Sequence, residues 1–163
     1  MSMPSDDAPA DIRMINVGGK PITVRTARAS GRLLATADTV ATIRSGRLAK
    51  GDPLATARVA GIMAAKRTSE IVPLCHPLPL DSIEVAFAFD EPGCVGIEAS
   101  VQATAKTGVE MEALVAVTAA GLCLYDMAKS IDPAMSLTDV HLEEKHGGVH
   151  GDYVRSPSGR GNG

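Results

Sequence analysis

The stretch KGDPLATARVAGIMAAKRTSEIVPLCHPLPL, residues 50–80, is the segment around which the rest of the chain is organised. It predicts a helix capped by Asp52, with Pro53 in the first helical position. Small side chains allow another backbone to approach this helix closely; they belong to Ala57, Ala60, Gly61, Ala64 and Ala65. Three prolines in residues 73–79 exclude both a helix interior and a central strand. Cys75 and His76 are therefore expected on a stiff loop.

Sequences with strand character lie on both sides of this helix. They predict strands at residues 13–17, 22–36, 82–89, 95–105 and 136–142, with a Gly18-Gly19 turn between the first two. Further helices are expected at residues 39–45 and 109–130, the second capped by Thr107 and stopped by Pro133. The order β-α-β-β-α-β predicts an α+β, ferredoxin-like sandwich, an antiparallel sheet with helices on one face. The strand at residues 13–17 and the doubled first helix are additions to that pattern.

Length and composition limit the class of protein. A chain of 163 residues forms one domain, expected at residues 13–155, between flexible tails at residues 1–12 and 156–163. The net charge of −3 gives no global basic field, and four aromatic residues in all argue against stacking of single-stranded nucleic acid.

Features of the cysteines and of the apolar segments indicate the compartment. Three cysteines without a C-x-x-C pair indicate reduced thiols in a cytoplasmic protein. The segment MSMPSDDAPA lacks the apolar core of a signal peptide, and the apolar run at residues 114–125 is too short to cross a bilayer. We expect no membrane partner.

Polar residues of the long helix lie near its two ends. Glu110 and Glu112 stand at the start, where they also suit the positive end of the helix dipole. Asp126 and Lys129 share a face near the finish, and spacing alone favours an exposed helical ion pair of little energetic value over a functional role. Fourteen residues of helix between Glu112 and Asp126 span roughly 21 Å. If both ends are functional, a symmetric partner must supply the second end.

His76 beside Cys75 is a further candidate, although a lone loop histidine is commonly structural. A zinc site needs more Cys or His at ligand spacing, and the chain does not offer it, so no metal is expected. The glycine-rich loop at residues 145–151 can bring backbone amides close to a phosphate, or it can be a plain turn. Neither a P-loop nor a G-x-G-x-x-G motif is present. The arginines at 25 and 28 in the second strand are interpreted as solvated.

Several runs together resemble one family. They are Lys50-Gly-Asp, Ala55-Thr-Ala-Arg58, Ala64-Ala-Lys-Arg-Thr68, Pro73-Leu-Cys-His-Pro77, Thr107-Gly-Val-Glu-Met-Glu-Ala113 and Tyr125-Asp-Met127 with Lys129. Across roughly residues 14–153 the chain resembles the MoaC family of molybdenum-cofactor biosynthesis, the cyclic pyranopterin monophosphate synthases. The resemblance implies a ferredoxin-like subunit, a hexamer built as a trimer of dimers, and active sites at the dimer interface.

The resemblance also implies the reaction and the residues that carry it. The substrate would be 3′,8-cyclo-7,8-dihydroguanosine 5′-triphosphate, converted to cyclic pyranopterin monophosphate and diphosphate without a cofactor. Residues at the positions of the family's catalytic groups are Lys50, Asp126 and Lys129. Residues at its substrate-binding positions are Lys20, Arg25, Leu74, Cys75, His76, Glu110, Met111, Glu112 and Lys145.

The chain departs from the family pattern at two places. Asn16 stands where a carboxylate is common, and His146, Val149 and His150 replace two serines and a basic residue of the C-terminal loop. Fewer cations beside a triphosphate weaken binding, and a protonated histidine compensates only at low pH. A divergent paralogue that binds a nucleotide or a partner protein without turnover is therefore the alternative to the lyase.

Overall fold

The structure, a computed structural model, describes residues 11–149 and 151–156. Most of each predicted tail, residues 1–10 and 157–163, lies outside the described residues, as does His150. The elements, numbered in chain order, are β1 Thr23–Leu34, α1 Ala37–Arg44, α2 Pro53–Ala65, α3 Thr68–Ile71, β2 Ser82–Ala88, β3 Cys94–Ala105, α4 Glu110–Ala128, β4 Ser136–His146 and β5 Tyr153–Val154.

The strands form one antiparallel sheet in the order β2-β3-β1-β4-β5. The first four strands in that order reproduce the ferredoxin-like arrangement, and β5 extends the sheet beyond β4. Helices α2 and α4 pack on one face, so the predicted fold class is confirmed. The doubled first helix is also present, as α1 and α2.

The helix layer depends on small residues. Ala57, Gly61 and Ala65 recur every fourth residue of α2 and are all buried, which is the geometry of a stripe facing a neighbouring helix. A Cβ added at Gly61 would lie 2.9 Å from the carbonyl oxygen of Ala116 in α4. The backbones of α2 and α4 are therefore in direct contact, as the run of small residues predicts.

The two ends of α2 are fixed locally. The Asp52 carboxylate accepts hydrogen bonds from the amides of Leu54 and Ala55, at 2.9 and 3.1 Å, and Pro53 is the first helical residue. Thr68 ends the same region with its hydroxyl bonded to Ala65 O. The predicted cap and the predicted proline position are both confirmed.

The expected strand at residues 13–17 is wrong. This segment has no regular secondary structure; Asn16 Oδ1 accepts from the Gly18 amide at 2.8 Å, and Lys20 N donates to Val17 O across the predicted turn. Met14 and Ile15 stay half exposed or more. Strand composition is a local property, whereas a strand also needs a neighbouring ladder to bond its backbone.

Two further details at the ends of elements differ from expectation. Thr107 is not the cap of α4: Val109 occupies that position and makes no side-chain capping hydrogen bond. Strand β4 runs to His146 rather than residue 142, through register shifts against β1 and a positive φ at Asp139. These irregularities interrupt the period-two pattern that sequence prediction relies on.

The arginines of β1 do not share one solvated environment. Arg25 lies on the same face as the core residues Ala27 and Ala29 and is only 4% exposed. Arg28 points to the other face and bonds Glu98 and Glu144. The interpretation of both as solvated is wrong for Arg25.

By length and composition alone, helix α4 is long and apolar enough to cross a membrane. From the sequence we considered only the shorter apolar run at residues 114–125 and judged it too short. Half of its most apolar window is buried inside the protein against α2 and the sheet. A helix in the core of a folded domain can have the same length and composition, and α4 is such a core helix.

The contact between α2 and α4 predicts the outcome of one substitution. Glycine to alanine within a helix ordinarily stabilises by up to about 1 kcal/mol. Gly61→Ala should instead lower the free energy of unfolding by about 1–3 kcal/mol, because the new methyl meets backbone that cannot rotate away. Urea denaturation measures it. Gly19→Ala, with nothing within 4 Å of the added carbon, is the control and should change stability by less than about 0.5 kcal/mol. An equal effect of both would refute the packing argument.

Candidate active site

One candidate cluster lies at the C-terminal end of α4. The Asp126 carboxylate pairs with Lys50 Nζ at 2.6 Å and with Lys129 Nζ at 2.7 Å. Lys50 also donates to Asp126 O at 3.1 Å. Lys50 precedes Gly51, whose φ of 109° turns the chain just before the Asp52 cap of α2. Packing of α2 on α4 therefore brings this lysine to the end of the other helix.

The ion pairs of this cluster keep its three side chains ionised but contribute little to the folding free energy. The hydrogen bond from Lys129, followed by that from Lys50, lowers the pKa of Asp126 to about 2. The same contact raises the pKa of Lys129. All three side chains are slightly more than half exposed, so the pairs add little to folding. Two cations around one carboxylate leave a net positive charge that an anionic ligand can use.

A cation-lined cleft lies at the other end of α4, with a cavity of about 100 Å³. Its basic residues are Lys20, Arg25, Lys106 and Lys145. Lys145 Nζ pairs with Glu110 Oε1 at 2.8 Å. A Cβ at Gly108 would lie 2.0 Å from the Glu110 carboxylate, so only glycine lets that carboxylate sit over the backbone here.

Arg25 is the most constrained of these cations. Its Nε and Nη2 donate to the carbonyl oxygens of Ala105 and Lys106, at 3.4 and 3.3 Å. Within the described part of the chain no carboxylate pairs with it, although the residue is only 4% exposed. A buried charge without a counter-ion is costly. The guanidinium therefore contributes a fixed positive charge to the cleft.

A larger cavity of about 430 Å³ adjoins the cleft. Residues that line both are Lys20, Thr107, Gly108 and Glu110. The remaining wall is mostly apolar and contains Ile15, Val17, Leu74, Cys75, His76, Leu78, Met111 and Glu112. Cleft and cavity together can hold a molecule that carries negative charge at one end and a ring system at the other.

The cavity contains a buried carboxyl group. Glu112 is 4% exposed, and burial, with Glu110 nearby, raises its pKa to about 6. Burial and the same two glutamates raise the pKa of Cys75. Cys75 therefore stays a thiol and is no nucleophile at neutral pH. With that pKa, Glu112 can exchange a proton near neutrality.

The glycine-rich loop closes one side of the cleft. A Cβ at Gly147, where φ is 84°, would lie 1.9 Å from Val24 O, so glycine is required there. Gly148 brings its backbone beside Arg25 Nη1. His146 bonds Asp152 through Nδ1 at 3.0 Å, and Val149 is half exposed on the cleft wall. The position replaced by valine thus faces the cations, and His146 already has a carboxylate partner.

The structure divides the predicted site residues into two groups. Lys20, Arg25, Lys145, residues 74–76 and residues 110–112 come together at the start of α4. Lys50, Asp126 and Lys129 lie at its end, fourteen residues and roughly 21 Å from Glu112. Lys106 was missed by sequence reasoning, although it directly precedes the Thr107 run that carries the resemblance. In residues 11–149 and 151–156, no three metal-binding side chains come together.

Fold and cavities define a class: a ferredoxin-like α+β protein with a cation-lined cleft and an adjoining apolar cavity where the sheet meets the start of α4. Comparison with known proteins gives the family. The description "MoaC family" belongs to the family model that matches residues 14–148. The chain belongs to the MoaC family.

Curated relatives agree with this assignment. Cyclic pyranopterin monophosphate synthase of Desulfitobacterium hafniense is 48% identical over 155 residues, 95% of each chain. The synthase of Heliobacterium modesticaldum is 51% identical over 150 residues, 91% of this chain and 94% of that protein. Cyclic pyranopterin monophosphate synthase 3 of Mycobacterium tuberculosis is 51% identical over 143 residues, 88% of this chain and 81% of that protein.

The His146–Asp152 pair predicts a pH dependence. The hydrogen bond to Asp152 raises the pKa of His146, so the pair's contribution is complete below about 6.5 and is lost as pH rises through the raised value. At the acidic end the contribution falls as pH drops below the ordinary Asp pKa of about 3.8 and is lost as pH passes through the lowered pKa of Asp152. Asp152→Asn should return the His146 pKa towards 6.5, as measured by NMR titration of the histidine ring. Asp139→Asn, on the same strand but seven residues away, is the control. An unchanged His146 titration in Asp152→Asn would refute the pairing.

Proposed function

We propose that this protein is a cyclic pyranopterin monophosphate synthase, a lyase of molybdenum-cofactor biosynthesis. It converts 3′,8-cyclo-7,8-dihydroguanosine 5′-triphosphate to cyclic pyranopterin monophosphate and diphosphate. The observation that carries the proposal is the buried Arg25 guanidinium, which has no carboxylate partner among residues 11–149 and 151–156. It lies in a cation-lined cleft continuous with a cavity large enough for a fused ring system.

The chemistry accounts for the residue types. A ribose hydroxyl oxygen attacks the α-phosphorus, the bond from that phosphorus to the bridging oxygen breaks, and diphosphate leaves with the electron pair. Negative charge grows on the leaving group, so preorganised cations lower the barrier. In our proposal Lys20, Arg25 and Lys145 hold the triphosphate, and residues 74–76 with residues 110–112 hold the ring system. No metal or other cofactor enters the proposal.

The cluster at the end of α4 supplies the proton transfers in this proposal. Asp126, ionised over the whole physiological range, orients the ammonium groups of Lys50 and Lys129. A lysine that approaches further cations loses its proton more readily and can then act as a base. The site therefore needs this cluster close to the triphosphate cleft.

We further propose that a second subunit provides that proximity. A twofold axis that sets two copies of α4 antiparallel brings the Lys50–Asp126–Lys129 cluster of one chain to the cleft of the other. Apolar side chains exposed on the helix layer, Val59, Met63 and Leu122, give such an interface its hydrophobic contact. The buried Glu112 carboxyl would gain a cationic neighbour there.

Higher assembly and location follow from the family resemblance. We propose a trimer of such dimers, about 101 kDa as six times the subunit mass of 16.8 kDa. The three cysteines, 75, 94 and 123, are unpaired, which suits the reducing cytoplasm.

The rival function is binding without turnover. Val149 at the cleft and the prior engagement of His146 by Asp152 leave the loop with less free positive charge, which favours the rival. The complete set of polar residues in both groups favours the lyase. Release of diphosphate by the purified protein from the cyclic dihydro-GTP substrate separates them: binding without release would establish the rival.

Removal of one ammonium group from the α4 cluster should abolish most turnover. Lys50→Ala and Lys129→Ala should each lower kcat by about 10²–10⁴-fold, the usual worth of a positioned proton-transfer group. Unfolding midpoints should change little because the pairs are exposed. Diphosphate release measures the rate. Lys66→Ala, at an exposed lysine at the C-terminal end of α2, is the matched control. Near-normal rates in either site variant would remove that lysine from the mechanism.

Mixing two inactive variants tests the shared site. Glu112→Ala and Lys129→Ala chains, reassembled together, should regain about a quarter of wild-type activity, because half of the dimers are mixed and each mixed dimer has one intact site of two. Subunit exchange is first demonstrated by mass spectrometry of labelled chains. A mixture of Lys50→Ala and Lys129→Ala chains, both defective in the same cluster, is the control and should regain nothing. Exchange without recovery in the first mixture would contradict the shared site.

A further inference from the structure

The segment at residues 15–20 forms a wall shared by the cleft and the cavity. Ile15 and Val17 line the cavity, and Lys20 lines both spaces. Little holds this segment within its own length. It has no regular secondary structure, and its internal bonds are Asn16 Oδ1 to the Gly18 amide and Lys20 N to Val17 O.

The Lys106 side chain, from the body of the domain, bonds to this wall. Lys106 follows the last residue of β3, and its Nζ donates to Gly18 O at 2.8 Å. Its own carbonyl accepts from Arg25 Nη2, so backbone and side chain of Lys106 connect the buried guanidinium to the wall. The Lys106 side chain also lines the cation cleft.

These contacts indicate a structural role for Lys106 that is absent from the proposed mechanism. We propose that Lys106 is a positioning residue for substrate: it holds residues 15–20 against the cavity through Gly18 O, and so fixes the distance between the phosphate cleft and the ring-binding wall. The identity of the substrate rests on the proposed function, whereas the hydrogen bond from Lys106 to Gly18 O does not.

The alternative is that Lys106 is merely one more phosphate ligand, as its place in the cleft allows. The two roles differ in what they predict for a ligand without a ring system. A phosphate ligand contributes equally to the binding of inorganic tripolyphosphate and of substrate. A residue that holds the wall contributes to substrate and leaves tripolyphosphate nearly unaffected.

A substitution at Asn16 tests the position of residues 15–20 independently of Lys106. Asn16→Ala removes the acceptor for the Gly18 amide and changes no charge in the cleft. Asn16→Asp keeps an acceptor oxygen at that position. If the wall matters, Asn16→Ala should reproduce the effect of a Lys106 substitution, and Asn16→Asp should keep residues 15–20 in place.

The experiment compares Lys106→Met, Lys106→Arg, Asn16→Ala, Asn16→Asp and the control Lys66→Met in the full chain. Loss of a charged hydrogen bond should raise the substrate KM of Lys106→Met by about tenfold, with a smaller change in kcat. Calorimetry with tripolyphosphate should show less than about a threefold change in Kd. Millisecond hydrogen exchange at residues 15–20 should be several-fold faster in Lys106→Met and Asn16→Ala, and near normal in Lys106→Arg, Asn16→Asp and Lys66→Met.

Each contrary result is decisive. A tripolyphosphate affinity that falls as much as substrate affinity, with unchanged exchange at residues 15–20, would make Lys106 a phosphate ligand and overturn the proposal. A Lys106→Met protein that resembles Lys66→Met in every measurement would do the same. Exchange and tripolyphosphate binding need no turnover, so they decide the Lys106 link even if the wild-type protein releases no diphosphate, a result that would reject the proposed function alone.

Discussion

Direct backbone contact between α2 and α4 is the constraint on which the rest of the structure depends. With a glycine of α2 against a carbonyl of α4, the two helices have one relative position that fits, and a larger side chain has no room. Because Lys50 precedes α2 and Asp126 lies in the last turn of α4, the same contact sets the ion pair between them. The other end of α4 delivers two glutamates to the cavity. Helix packing thus determines the positions of both groups of polar residues.

A second constraint is the path of the chain around Arg25. Carbonyl groups at the end of β3 accept its hydrogen bonds, and the glycine-rich loop comes close enough to require glycine at position 147. In the part of the chain that the structure describes, the guanidinium is therefore fixed by backbone carbonyls and not by a carboxylate. Backbone carbonyls orient a cation without neutralising it, which leaves its full charge for a ligand.

From the sequence we predicted features that are set by local residue patterns and missed features that are set by tertiary contacts. The alternating runs of β2 and β3 and the Asp52–Pro53 helix start were found because periodicity and capping act within a few residues. The separation of Glu112 from Asp126 was also predictable, since helix rise is constant. The absent strand at residues 13–17, the burial of Arg25 and the reach of Lys106 to Gly18 O required knowledge of which segments become adjacent.

The buried carboxyl of Glu112 has a thermodynamic consequence. With its pKa near 6, a measurable fraction of the protein carries a proton there at neutral pH. A positive charge that enters the cavity, from a ligand or from another subunit, stabilises the ionised form and displaces that proton. Association and proton release are then linked, so the heat of binding depends on the ionisation enthalpy of the buffer that takes up the proton.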